Sequence, residues 1–296
     1  AMTLKKVWIT FLLASGLTLA LQTPLPARAA PAGQSGQACL DEYQNGWDQY
    51  NQAQYQQARQ TWQSALHCFQ QIGLPLAEGL THDALGAAYS RQEQYGEAIT
   101  AYEQALAIHR RLGESQNQAA SLFNLGLVYD IEGRAEAAAD YYKQALTIYR
   151  DLGDREQQAN LLRSLGSIYD DLGRELEAVQ SYKQALAIFQ ELDSPIQAGE
   201  TYLFLGLLYS DLGRDEETLE SYWQAVEIFR AHSDPANEAV TLLNIGSMYD
   251  NQGLHAEAAE VYRQAQSAYQ KAEDQEGEAL ALLNLGRVYR NWGRGD

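Results

Sequence analysis

The feature that most constrains this chain is self-similarity at one fixed step. Leu85-Gly86, Leu125-Gly126, Leu165-Gly166, Leu205-Gly206, Ile245-Gly246 and Leu285-Gly286 each stand 40 residues after the last. A tyrosine column (Tyr89, Tyr129, Tyr169, Tyr209, Tyr249, Tyr289), a second one (Tyr102, Tyr142, Tyr182, Tyr222, Tyr262) and an alanine column (Ala105, Ala145, Ala185, Ala225, Ala265) keep the same step. Repeats of this length mark stacked supersecondary units, each burying its apolar face against its neighbours.

Within a unit the apolar spacing is helical. Leu122, Leu125, Gly126 and Tyr129 stand at i, i+3, i+4 and i+7, and Ala138, Tyr142, Ala145 and Ile148 follow on a second helix. Gly133, Gly173, Gly213 and Gly253 punctuate the hairpins, Gly113 and Gly153 close second helices, and Ser194-Pro195 and Asp234-Pro235 read as N-caps followed by proline at the first helical position. A mid-helix glycine costs about 1 kcal/mol against alanine. Close helix packing, with Ala138 and Ala145 opposite Gly126 and with Tyr129 and Tyr142 on the flanks, is the expected compensation.

The residue before glycine, the tyrosine three after it and the alanine–aromatic–alanine pattern of the second helix resemble the tetratricopeptide-repeat (TPR) family over about residues 39–292. The 40-residue step is similar to the longer-repeat subclass that includes kinesin light chain and the LGN-type adaptors. The resemblance implies an all-α, right-handed α-solenoid of antiparallel helix hairpins. Six hairpins carrying Gly46, Gly86, Gly126, Gly166, Gly206 and Gly246 precede one terminal helix near residues 279–291. Asn45 and Gln49 give the first hairpin the polarity of an end cap. Leu282, Leu285 and Tyr289 of the last helix are expected to lack cover, so either the chain is part of a longer protein with an effector domain or these residues form a homodimer contact.

Lys5 and Lys6, an apolar run from Val7 to Leu21 and the small-residue site Ala27-Arg28-Ala29 follow the secretory pattern. Residues 1–29 are therefore expected to be a cleaved export signal, 30–38 a short flexible linker and 39–296 the repeat domain, in a periplasmic or secreted protein. The run is shorter than the ~18 residues of a membrane span. Cleavage would remove three basic residues and no acid, changing the formal charge from −18 to −21. That charge disfavours nucleic acid and anionic membrane as partners and favours a basic protein or peptide. Cys39 and Cys68 begin and end the two helices of the first hairpin, where an antiparallel arrangement brings them together. In an oxidising compartment they read as a disulfide staple, and otherwise as two buried thiols.

The resemblance places a concave groove on the first helices. Its expected lining is Tyr43, Trp47 and Tyr50 as an aromatic patch, Phe123, Leu127, Leu203, Leu207 and Leu243 as an apolar floor, and Arg163 with Asp130, Asp170, Asp171, Asp211 and Asp250 as a largely acidic rim. Such a groove suits a peptide with basic and apolar residues, held by rigid aromatic anchors; the alternative is that the apolar members are core. The carboxylate-holding TPR pattern is absent, because its columns read Asp83 with Ala87, Phe123 with Leu127 and Arg163 with Ser167. Asn124, Asn244 and Asn284 match asparagines common on TPR first helices.

No enzymatic activity and no cofactor are expected. His67, His82, His109, His232 and His255 are scattered, without ligand spacing or a neighbouring nucleophile. The expected function is an exported scaffold or assembly factor. The runner-up is a metal carrier using the aspartates for Ca²⁺ or Mn²⁺, as the broad similarity to periplasmic TPR assembly factors of photosynthetic bacteria implies.

Overall fold

A computed structural model describes residues 34–293, so the expected export signal lies outside the described residues. Thirteen α-helices and no strand occur among the described residues: α1 (Gln34–Asn51), α2 (Tyr55–Ile72), α3 (Pro75–Arg91), α4 (Tyr95–Leu112), α5 (Ser115–Ile131), α6 (Ala135–Leu152), α7 (Arg155–Asp171), α8 (Glu175–Glu191), α9 (Pro195–Asp211), α10 (Asp215–Ala231), α11 (Pro235–Asn251), α12 (His255–Lys271) and α13 (Gln275–Asn291). They divide at Gln157 and Gln158 into two compact units. Helix α1 starts inside the stretch expected to be a linker. No proline interrupts residues 34–38, Gly36 is buried, and Gln37 bonds Asp41 one turn on at 2.7 Å.

The hairpins follow directly from the glycine columns. Gly133, Gly173, Gly213 and Gly253 have φ between 67° and 76°, the left-handed conformation that glycine adopts without a Cβ penalty. At the end of α4, the Gly113 N–H donates to the Arg110 carbonyl at 3.2 Å and the Glu114 N–H to the His109 carbonyl at 3.0 Å, closing the last turn. Asp234 caps α11 by accepting from the Asn237 N–H at 3.1 Å, whereas Ser194 makes no side-chain cap on α9 and leaves the start of that helix to Pro195. The expected pair of side-chain N-caps is thus reduced to one.

The mid-helix glycines prove to be seats for rings. A Cβ at Gly126 would stand 2.6 Å from the Tyr142 ring, and one at Gly46, Gly86, Gly166, Gly206 or Gly246 would meet Trp62, Tyr102, Tyr182, Tyr222 or Tyr262 at 2.8 Å or closer. Tyr142 therefore lies on the glycine and not on its flank. A fully buried ring supplies more contact area than the helix loses by carrying glycine.

In the first unit the core begins with Cys39, Tyr43, Tyr50, Trp62 and Phe69 and continues through Ala84, Leu85 and Ala88 to Leu127. Cys39 and Cys68 face each other across α1 and α2 with Cα atoms 5.6 Å apart, within the span of a disulfide. In the second unit, Val288, Leu285 and Tyr289 of α13 pack on Ala258, Ala259 and Tyr262 of α12. Leu285 and Tyr289 are therefore partly covered by the preceding helix, contrary to the sequence expectation, and Leu282 remains 45% exposed.

Candidate functional site

The first-helix columns can be followed within each unit. In the first, the expected aromatic patch is largely core. Tyr43 and Tyr50 are buried, and Trp47 is half-buried with its ring centroid 4.9 Å from that of Trp62 and 5.5 Å from that of Tyr50. The Trp62 indole N–H donates to the Tyr43 carbonyl at 3.0 Å, and Arg91 Nε donates to the Tyr50 hydroxyl at 3.1 Å. Burial raises the pKa of both tyrosines, so they stay neutral packing groups. Leu127 is also core. Phe123 keeps part of its ring at the surface, 5.6 Å from that of Tyr142, and Asp130 is half-buried.

In the second unit Leu203 is core and Leu243 packs on the α12–α13 cluster, while Leu207 stays half-exposed. Arg163 donates to Glu200 and stands over the Phe189 ring at 5.5 Å. Asp250 accepts from His255 Nδ1 and Arg287 Nε, each at 3.2 Å, and is engaged within its own unit. Asp170 is half-buried, whereas Asp171 and Asp211 are exposed. Tyr43, Tyr50, Leu127 and Leu203 are thus corrected from groove lining to core, because their columns face a neighbouring helix where the sequence alone could not tell neighbour from solvent. Among the described residues no group of three His, Cys, Asp or Glu side chains is placed to hold a metal ion.

Two features of the first unit escaped the sequence reading. An open groove of about 450 Å³ lies between α2 and α4 over α3, walled by Leu66, Leu85, Tyr89 and Ala101 with Gln63 and Gln104 at its edge. The other feature is a buried polar cluster. His109 Nε2 lies 2.9 Å from Asp83 Oδ2, and Ser121 Oγ donates to Asp83 Oδ1 at 2.8 Å.

All three members of the cluster are buried. Burial raises the Asp83 pKa, an effect the hydrogen bonds from His109 and Ser121 only partly oppose. The arrangement does not prepare a nucleophile: Ser121 donates to the carboxylate and not to the imidazole. His109 replaces the aromatic residue of its column (Phe69, Tyr149, Phe189, Phe229, Tyr269), and Asp83 stands in a column otherwise mostly apolar or aromatic. Two polar exceptions in one layer were the available clue.

Comparison with known proteins agrees with this architecture. The tetratricopeptide-repeat family matches residues 76–151, 133–191 and 197–271, and the chain belongs to that family. No curated protein matches the sequence. Similar solved structures include BtubC (BKLC) from P. vanneervenii, with 19% identity, 81% of this chain and 90% of that one covered, and a TM-score of 0.55. A Rap protein complexed with competence and sporulation factor shows 17% identity, coverage of 87% and 76%, and a TM-score of 0.56. The kinesin light chain TPR-like repeats of Podosopora anserina show 19% identity, coverage of 65% and 95%, and a TM-score of 0.58. At these identities the likeness is one of fold.

Proposed function

We propose that the chain is an exported adaptor that holds a basic, partly apolar segment of another polypeptide on its first-helix columns. The observation that carries this reading is what remains at the surface once the packing columns are accounted for. Trp47, Phe123 and Leu207 keep apolar area partly exposed, and the carboxylates of Asp171 and Asp211 are exposed. Within the second unit Leu207 and Asp211 stand one turn apart on α9, an apolar contact beside a charge that suits a peptide of opposite sign, and within the first unit Trp47 and Phe123 offer aromatic anchors. The Rap neighbour, seen with a bound factor, supports the same mode of use of the fold. Scaffolding, without catalysis, is the common use of this repeat.

The test is capture from the exported fraction of the source cell, followed by affinity measurements on the identified partner. Asp171→Lys with Asp211→Lys should weaken binding at least tenfold, and added salt should weaken wild-type binding. Equal affinity for wild type and variant would end this reading. Intact mass of the exported protein without reductant should show a chain beginning at Ala30 with no alkylatable thiol. Two free thiols would remove the proposed disulfide, and a retained leader would remove the proposed export cleavage.

A further inference from the structure

The groove between α2 and α4 has a counterpart in the next hairpin of the same unit, and there it is filled. Tyr141 of α6 stacks on Tyr129 of α5, with ring centroids 5.2 Å apart and planes 22° apart, and the Arg134 guanidinium stands over the Tyr129 ring at 4.2 Å. Forty residues earlier the same columns read Tyr89 for Tyr129, Ala101 for Tyr141 and Gln94 for Arg134. Both covers are thus replaced by smaller or uncharged groups, and the ring shows it: Tyr129 is 9% exposed, whereas Tyr89 is half-buried and walls the groove.

A small residue in the Ala101 column does not by itself bare the tyrosine. Ser181 and Ser221 stand there in later repeats, yet Arg174 and Arg214 lie 4.6 Å over Tyr169 and Tyr209, which are 8% and 4% exposed. Tyr89 instead meets Arg59 of α2 at 5.1 Å, a guanidinium bonded to Gln94 at 2.7 Å and lying outside the groove lining.

We propose that this groove seats an aromatic side chain from a basic segment of a partner polypeptide, stacked on Tyr89 as Tyr141 is stacked on Tyr129. The site shares no residue with the first-helix surface proposed above, so it adds a second anchor on another face of the hairpins. Its volume of about 450 Å³ holds a ring with room for flanking residues, and Leu66, Leu85 and Ala101 give the ring apolar walls. Arg59 beside Tyr89 and a ring stacked on it repeat the cation–ring–ring order of Arg134, Tyr129 and Tyr141.

Charge selects the segment that carries the ring. Burial lowers the pKa of His82 in the groove wall, so its imidazole is neutral at neutral pH and available to a phenol hydroxyl or an indole N–H. The charged member of the lining is then Glu97, exposed on the rim, in a chain whose formal charge is −18. Lysine or arginine on either side of the aromatic residue complements that rim.

The test compares two labelled peptides, Lys-Lys-Tyr-Lys-Lys and Lys-Lys-Ala-Lys-Lys, binding to the purified chain by fluorescence anisotropy at physiological salt. The tyrosine peptide should bind at least tenfold more tightly. Ala101→Tyr, which gives α4 the residue that α6 has, should erase that difference while melting no lower than wild type. Glu97→Lys, an exposed change that leaves the packing intact, should weaken the tyrosine peptide at least fivefold, and Asp171→Lys with Asp211→Lys should leave it within twofold. Equal binding of the two peptides overturns the proposal, as does a tyrosine preference that survives in folded Ala101→Tyr or is indifferent to Glu97→Lys. Tyramine binding as tightly as the tyrosine peptide would make this a small-molecule site, and a concentration-dependent dimer abolished by Ala101→Tyr would make a second copy the occupant. Either result overturns the assignment to a partner polypeptide.

Discussion

The α3–α4–α5 layer of the first unit and the α9–α10–α11 layer of the second are built on the same columns with opposite chemistry. Where the first has Asp83, His109 and Ser121, the second has Leu203, Phe229 and Thr241, all of them buried. Even the glycine opposite the ring is shared: a Cβ at Gly79 would stand 2.7 Å from His109 Cε1, and one at Gly199 would stand 2.9 Å from Phe229 Cε1. The Thr241 hydroxyl turns back to its own helix at the Asn237 carbonyl, 2.8 Å away, while Ser121 also reaches across to Asp83. One backbone geometry thus accepts an apolar plug or a hydrogen-bonded polar one. The polar version gives up transfer free energy and gains dependence on protonation.

Four changes would sharpen or break that contrast, each read by urea denaturation with amide exchange resolved to α3–α5 and α9–α11. The largest effect is expected from truncation: Phe229→Ala should cost about 3–5 kcal/mol through lost burial and cavity formation. Asp83→Ala should cost about 1–3 kcal/mol by leaving buried His109 without its hydrogen-bond partner. Next, transplanting the apolar pair into the first unit, Asp83→Leu with His109→Phe, should be neutral or stabilise by up to about 4 kcal/mol. A loss of more than about 2 kcal/mol would show that the two layers are not interchangeable.

Third is pH. Because the folded state holds the Asp83 carboxyl above its ordinary range, it prefers the protonated form. The resulting stabilisation is complete below the unfolded carboxyl value of about 4 and is lost as pH rises through the folded value. In the second unit Glu217 and Glu278 are shifted down, by Arg214 and by Gln266 with Gln270 respectively, so their contributions are lost as pH falls. Burial lowers the His82 pKa in the first unit, a contribution that is lost as pH falls, so the Asp83 share is read as a difference: wild type should gain stability relative to Asp83→Asn on mild acidification. An unchanged slope in that variant would refute the assignment. The smallest effect is Ser121→Ala, about 1 kcal/mol, against a few tenths for Thr241→Val, whose hydroxyl bonds only within its own helix.

The repeat columns made the fold legible because a 40-residue period with helical spacing admits few other arrangements. The glycine and the tyrosine 16 residues later were visible as columns, but not that one lies on the other, since ring placement is decided by the approach of two helices. The face of a residue was harder to read. Tyr43 and Trp47 lie one turn apart with similar chemistry, yet only Trp47 keeps part of its surface, because Phe69 and the roof of α2 cover Tyr43. His109 lies 26 residues from Asp83 and looked solitary. A hairpin turn converts that separation into contact, so spacing rules for metal or catalytic motifs within one helix had nothing to detect.

The turns carry a consequence for engineering. Ala53 and Glu93 occupy, at φ 58°, the hairpin position that glycine holds in later repeats, and Asp193, Ser233 and Glu273 sit at φ 51–57° where Gly73, Gly113 and Gly153 stand after other second helices. A side chain held there costs on the order of 1 kcal/mol per site. The chain thus contains five places, all in turns between helices, where its own consensus points to a more heat-tolerant variant.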